Sequence, residues 1–103
     1  MKKTFQLNPE GKNRERVLEA IKHEVRKYVR RERRRPLPGG VDYWDFVCRF
    51  GRSELDAVVV HFATLTAQMD AVAAALGEQF YLEIIACHGH RSARQSSSAD
   101  VAS

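Results

Sequence analysis

The stretch DYWDFVCRFG, residues 42–51, alternates between two kinds of side chain. Trp44, Phe46, Cys48 and Phe50 stand on one side; Tyr43, Asp45, Val47 and Arg49 stand on the other. A period of two is that of a β-strand with one buried face, and the all-apolar set is the face that seeks a core. The reading of what surrounds this strand follows from the need to cover that face.

Downstream, Gly51-Arg52-Ser53-Glu54 has hairpin-loop composition, and residues 55–62 are β-branched and apolar, which predicts a second strand paired to the first. Setting Cys48 opposite Val58, Phe46 opposite Val60 and Trp44 opposite Phe62 matches inward positions to inward positions, whereas a slip of one residue sets the faces against each other. The same register brings Asp45 opposite His61 on the other face. Residues 64–76 then carry a helical stripe of Leu65, Met69, Val72, Ala73 and Leu76, with Gly77 where a C′ glycine belongs. Residues 80–87, FYLEIIAC, form a last strand.

Upstream, residues 2–7 (KKTFQL) alternate as a strand with Phe5 and Leu7 inward, and Asn8-Pro9-Glu10-Gly11 is a turn. Asn13 is suited to cap a helix running to Arg35, with Val17, Ile21, Val25 and Tyr28 recurring every three or four residues and Leu18 and Val29 widening the stripe. Pro36 stops it, and Leu37-Pro38-Gly39-Gly40 connects to the first strand described. Residues 92–103 lack pattern and read as a disordered tail.

The order β-α-β-β-α-β predicts an α+β domain over residues 1–91. Its expected architecture is the ferredoxin-like split βαβ sandwich, a four-stranded antiparallel sheet in order 4-1-3-2 with both helices on one face.

The segments EAIKHEVRKYVRRERRRPLPGGVDYWDF (19–46), CRFG (48–51), FYLEI (80–84) and GHR (89–91) resemble a small family of uncharacterised bacterial proteins, a domain of unknown function. The resemblance implies the same boundaries and carries no activity, substrate or cofactor. Val47 and Cys87-His88 depart from it, since its members often have an acidic residue at the first position and Lys-Pro at the second.

Charge is unevenly placed. The net value is +4, yet residues 1–35 hold 13 Lys/Arg against 5 Asp/Glu, and residues 36–103 hold 4 against 8. Residues 26–35 alone contain seven cations. A helix over 13–35 would be about 34 Å long and strands of eight residues about 26 Å, so the helix is expected to overhang its sheet with its arginine-rich end. One or two arginines suffice to complement the helix dipole. The excess points to an anionic partner, and the guanidinium fork suits phosphate. In the 4-1-3-2 arrangement Lys2, Lys3, His88, His90 and Arg91 gather beside Arg26, Lys27, Arg30, Arg31, Arg33, Arg34 and Arg35. This predicts a polyanion site, for nucleic acid before an acidic protein.

The uncovered sheet face would carry Tyr43, Asp45, Arg49, His61, Tyr81 and Glu83 together with Val47, Val59 and Ile85. Its apolar centre suggests a homodimer interface. RNA-recognition modules of this topology stack bases on aromatics of their central strands. In the expected order Tyr43 and Tyr81 lie on outer strands, and the central ones offer Thr4, Gln6, Val59 and His61. Asp45 and His61 have the chemistry of a carboxylate–imidazole general base, with a plain cross-strand pair as the simpler alternative. No nucleophile motif or phosphate-cradling glycine loop accompanies them.

Cys87-His88-Gly89-His90 has the donor types for zinc or copper, but strand alternation sends neighbours to opposite faces, so neither a metal nor a cofactor is expected. With no CxxC spacing, no apolar leader and no membrane-length apolar run, the cytoplasm is the expected location.

Overall fold

A computed structural model of the chain describes residues 1–8, 11 and 13–91. The elements are β1 (Lys2–Gln6), α1 (Arg14–Arg33), β2 (Tyr43–Gly51), β3 (Val58–Val60), a 3-10 turn (Phe62–Thr64), α2 (Leu65–Ala74) and β4 (Gln79–Gly89). The α+β class, the β-α-β-β-α-β order and the four-stranded antiparallel sheet agree with the ferredoxin-like expectation. The expected tail at 92–103 lies outside the described residues.

The strand order differs from that expected. The sheet runs β1-β4-β2-β3, so β2 and β4 are central and β1 and β3 are edges. The order follows strand length: β4 and β2, with 11 and 9 residues, hold the centre, and β1 and β3, with 5 and 3, border it. Short edges, one bearing Lys2 and Lys3, leave little unpaired backbone for another chain to join.

Phe46, Cys48 and Phe50 of β2 and Phe80, Leu82 and Ile84 of β4 are buried in one cluster with Phe5 and Leu7. Leu18, Ile21, Val25 and Val29 of α1 and Leu65 and Met69 of α2 close that cluster from the same side. The inward set read from 42–51 is therefore the core set, with Trp44 half-buried at its margin. Cys48 is 1% exposed, and burial, with the nearby Asp45 charge, pushes its thiol up to about 11. It packs as a small apolar group rather than a nucleophile.

The β2–β3 register is two residues from the expected one: Cys48 faces Val60 and Phe50 faces Val58. A slip of two preserves both faces, so alternation could not detect it. Its cause lies in the loop. Residues 53–57 fold into turns, with Asp56 N–H donating to Ser53 O (3.2 Å), Ala57 N–H donating to Glu54 O (3.3 Å) and the Ser53 hydroxyl donating to Asp56. Leu55, expected to open the strand, is instead 97% exposed. Gly51 is needed here, because a Cβ would lie 2.7 Å from the Ala57 Cα.

The N-cap of α1 is as expected: the Asn13 side chain accepts from Arg16 N–H. The end of α2 is not. Leu76 N–H donates to Ala73 O and Gly77 N–H to Val72 O, which is the Schellman pattern with Leu76 at C′ and Gly77 one place later. Leu76 takes φ 62° and is 76% exposed, so a residue with a Cβ occupies the left-handed position while burying nothing. Leu76→Gly is expected to raise stability by about 1 kcal/mol, read as a higher urea midpoint at unchanged slope. The Arg14 guanidinium donates to the Ala73 and Gly77 carbonyls (3.2 and 3.1 Å), tying the start of α1 to the end of α2.

The expected overhang of α1 is also corrected. Its 20 residues span about 30 Å, whereas the 11 residues of β4 span about 36 Å. The helix lies within the length of the sheet, and its basic end has aromatic rings beneath it.

Candidate nucleic-acid interface

The basic end of α1 is held from below by aromatic side chains of the sheet and the 3-10 turn. The Arg33 guanidinium lies 5.5 Å from the Phe46 ring centre and 5.7 Å from that of Phe62, and these two rings stack at 5.4 Å. Arg35 lies 4.7 Å from the Trp44 ring centre and is paired with Glu32, while its carbonyl accepts from Trp44 Nε1–H at 2.9 Å. Arg33 and Arg35 thus pack, through cation–π contacts and their aliphatic stems, where the sequence suggested nothing to pack on.

The other cations of this end are placed differently. Glu24 pairs with Lys3, Glu32 with Arg35, and Glu19 and Asp70 with Lys22. This leaves Arg26, Lys27, Arg30, Arg31, Arg33 and Arg34 with no carboxylate within 4.0 Å among the described residues. Arg26, Arg30 and Arg34 follow at four-residue intervals, about 6 Å apart along one ridge. With Arg33 and Lys22 they line a cleft of about 460 Å³ between α1 and the 3-10 turn and first turn of α2. The opposite wall is Phe62, Ala63 and Thr66, and the floor is Val25, Val29, Leu65 and Met69. Lys27 and Arg31 belong to the neighbouring ridge, with Arg31 5.6 Å from the Tyr28 ring centre.

The wider cluster expected from three segments does not form. Lys2 pairs in register with Glu83 on the far face of the sheet, and the Lys3 ammonium donates to Glu24 at 3.1 Å. The strand β4 continues to Gly89, so His90 and Arg91 lie about 23 Å or more beyond the Lys2 level. There the Tyr43 hydroxyl donates to His90 O (3.4 Å) and the Arg91 N–H to Asp42 Oδ2 (2.7 Å). His88 packs against Trp44, with ring centres 5.6 Å apart. Of the other expected cations, Lys3 meets α1 at Glu24 and His88 shares the Trp44 ring with Arg35, while Lys2 lies on the far face, remote from His90 and Arg91.

The open face is corrected at two points. Asp45 faces Cys87 of β4, and β3 ends at Val60 before reaching His61. His61 caps the 3-10 turn by accepting from Ala63 N–H at 3.1 Å, and Asp45 accepts from Phe46 N–H at 2.9 Å. Both border a shallow depression over β2 and β3, but they form no carboxylate–imidazole pair. Tyr81, now on a central strand, is only 4% exposed and offers no platform for a base. Tyr43 is also central, and its ring lies across Gly89, where a Cβ would meet it at 2.2 Å.

Tyr81, Glu83 and Arg49 form a network instead. The Tyr81 hydroxyl donates to Glu83 at 2.9 Å, and Arg49 donates to Glu83 at 3.3 Å and to the Ala57 carbonyl at 2.9 Å. The hydrogen bond from Tyr81, helped by the Arg49 charge, holds the Glu83 carboxyl below its ordinary range although burial pushes it the other way. A carboxylate with a lowered folded-state pKa adds stability above its unfolded pKa and loses it as pH falls through the folded value. Glu83→Gln is therefore expected to lower the urea midpoint at pH 7, with the gap to wild type closing as the pH is taken below the ordinary carboxylate range.

Among the described residues no three His, Cys, Asp or Glu side chains come together as a metal site, and no helix is long and apolar enough to cross a membrane.

The fold and its charged surface define a small α+β domain whose long helix carries arginines along a cleft with an apolar floor, without carboxylate partners among the described residues. The chain belongs to a family of unknown function, DUF6172, whose model matches residues 1–95. No curated protein and no solved structure matches it.

Proposed function

We propose that this domain is a non-enzymatic nucleic-acid-binding module that grips phosphates with the C-terminal half of α1 and works in the cytoplasm. The observation carrying this reading is the run of Arg26, Lys27, Arg30, Arg31, Arg33 and Arg34 without a carboxylate partner among the described residues. Like charges one helical turn apart cost a few tenths of a kcal/mol per pair, so the arrangement opposes stability and suits an anionic polymer. An acidic protein is the alternative partner; arginine in place of lysine along the cleft favours phosphate. The free thiols Cys48 and Cys87 agree with a reducing compartment.

The test is fluorescence anisotropy with labelled RNA and DNA oligonucleotides. If four to six phosphates are neutralised, log K should fall with log salt at a slope of about −3 to −4 for single strands. Absence of salt-sensitive binding at low ionic strength overturns the reading.

The open sheet face supports a second one. Val47 and Ile85 face each other across β2 and β4, and Val59 on β3 is 73% exposed, which suits a homodimer. Light scattering giving the monomer mass at high concentration removes it.

A further inference from the structure

The cleft beside α1 is more than a charged surface, and this deepens the proposed nucleic-acid reading on which it rests. A duplex presents phosphates and sugars outward, and a flat row of cations meets it fully. Here the cations stand on one wall, apolar side chains form the floor, and Phe62, Ala63 and Thr66 form the other wall. The volume of about 460 Å³ is that of a small-molecule site. Phe62 is half-buried, with a neighbouring ring on Phe46 and the Arg33 guanidinium already against it.

We infer that this cleft receives an unpaired base of a single-stranded nucleic acid, which packs beside Phe62 while the flanking phosphates lie on Arg30 and Arg34. Unpaired bases in single strands are bound through stacking on aromatic rings and guanidinium planes, with cations following the backbone. Both requirements meet between α1 and α2. An acidic amphipathic peptide shares the apolar-plus-anionic character. The ridge of Arg26, Arg30 and Arg34, one cation per turn and no carboxylate among them, instead fits a polymer charged at every unit.

The test measures the full chain by anisotropy at one salt concentration against three probes of equal length: a labelled single strand, the same strand with abasic sites, and a duplex. The single strand should bind about ten-fold or more tightly than either other probe, the range that one stacked base contributes. Thr66 is exposed on the rim, so Thr66→Trp fills the cleft without touching the core. It should remove the advantage of the single strand over the abasic strand, and an advantage kept in this variant overturns the base pocket. Equal affinity for intact and abasic strands overturns the base pocket while the phosphate-binding proposal stands. Binding of none of the three overturns both. Displacement of the single strand by an acidic amphipathic peptide more readily than by unlabelled single strand assigns the cleft to a protein partner and overturns it as well.

Discussion

Replacing Arg26, Arg30 and Arg34 together with glutamine should weaken oligonucleotide binding by about a hundred-fold or more, at roughly 1 kcal/mol for each lost charge-assisted contact. The salt slope should flatten by about two, because three fewer counterions are released. The folded state should not suffer. The three side chains share no ion pair among the described residues, and removing like charges one turn apart relieves the helix by a few tenths of a kcal/mol. The variant should melt at or slightly above the wild-type temperature. That combination, binding lost and stability kept, separates recognition from structure. Arg33 and Arg35 are poor choices for the same experiment, since their removal would also strip contacts from Phe46, Phe62 and Trp44.

Phe80→Ala should cost about 3–5 kcal/mol, a large share of the stability of a domain this small. Phe80 is fully buried on central β4, with the Phe50 ring 5.1 Å away on β2 and the Phe5 ring 5.6 Å away on β1. In the order 4-1-3-2, Phe50 and Phe80 would stand on opposite edges of the sheet. The observed order makes them neighbours, and a double-mutant cycle between them should show about 0.5–1.5 kcal/mol of coupling. Urea unfolding followed by circular dichroism measures both quantities. Simple additivity of the Phe50 and Phe80 substitutions would contradict the observed strand order.

Faces and elements were legible in the residues because a strand or helix against a core writes its period into the chain. The alternation over 42–50, the stripe from Val17 to Val29 and the Asn13 cap all appear as read. Strand order was less legible. Both 4-1-3-2 and 1-4-2-3 leave one strand inside each crossover and both helices on one face, so connectivity does not separate them. The available signal was length and two-sided apolarity: Gln79–Gly89 carries Tyr81 and Ile85 outward as well as Phe80, Leu82 and Ile84 inward, the mark of a central strand.

Of the candidate site, the cationic helix was legible, and its surroundings were not. The cleft needs Phe62, Thr66 and Met69 brought beside Arg30 by the docking of α2 on α1, a tertiary event with no local signature. The pairing of Lys3 with Glu24 and the separation of His90 from Lys2 depend on where β1 meets β4, which also lies beyond periodicity.

The most direct test of the account is a two-dimensional amide NMR titration of the chain with a short single-stranded RNA at low salt. Shifts concentrated over residues 26–35 and 62–69 are the expected result. Shifts confined to the outward positions of β2 and β4, or a spectrum unchanged by the RNA, would contradict it.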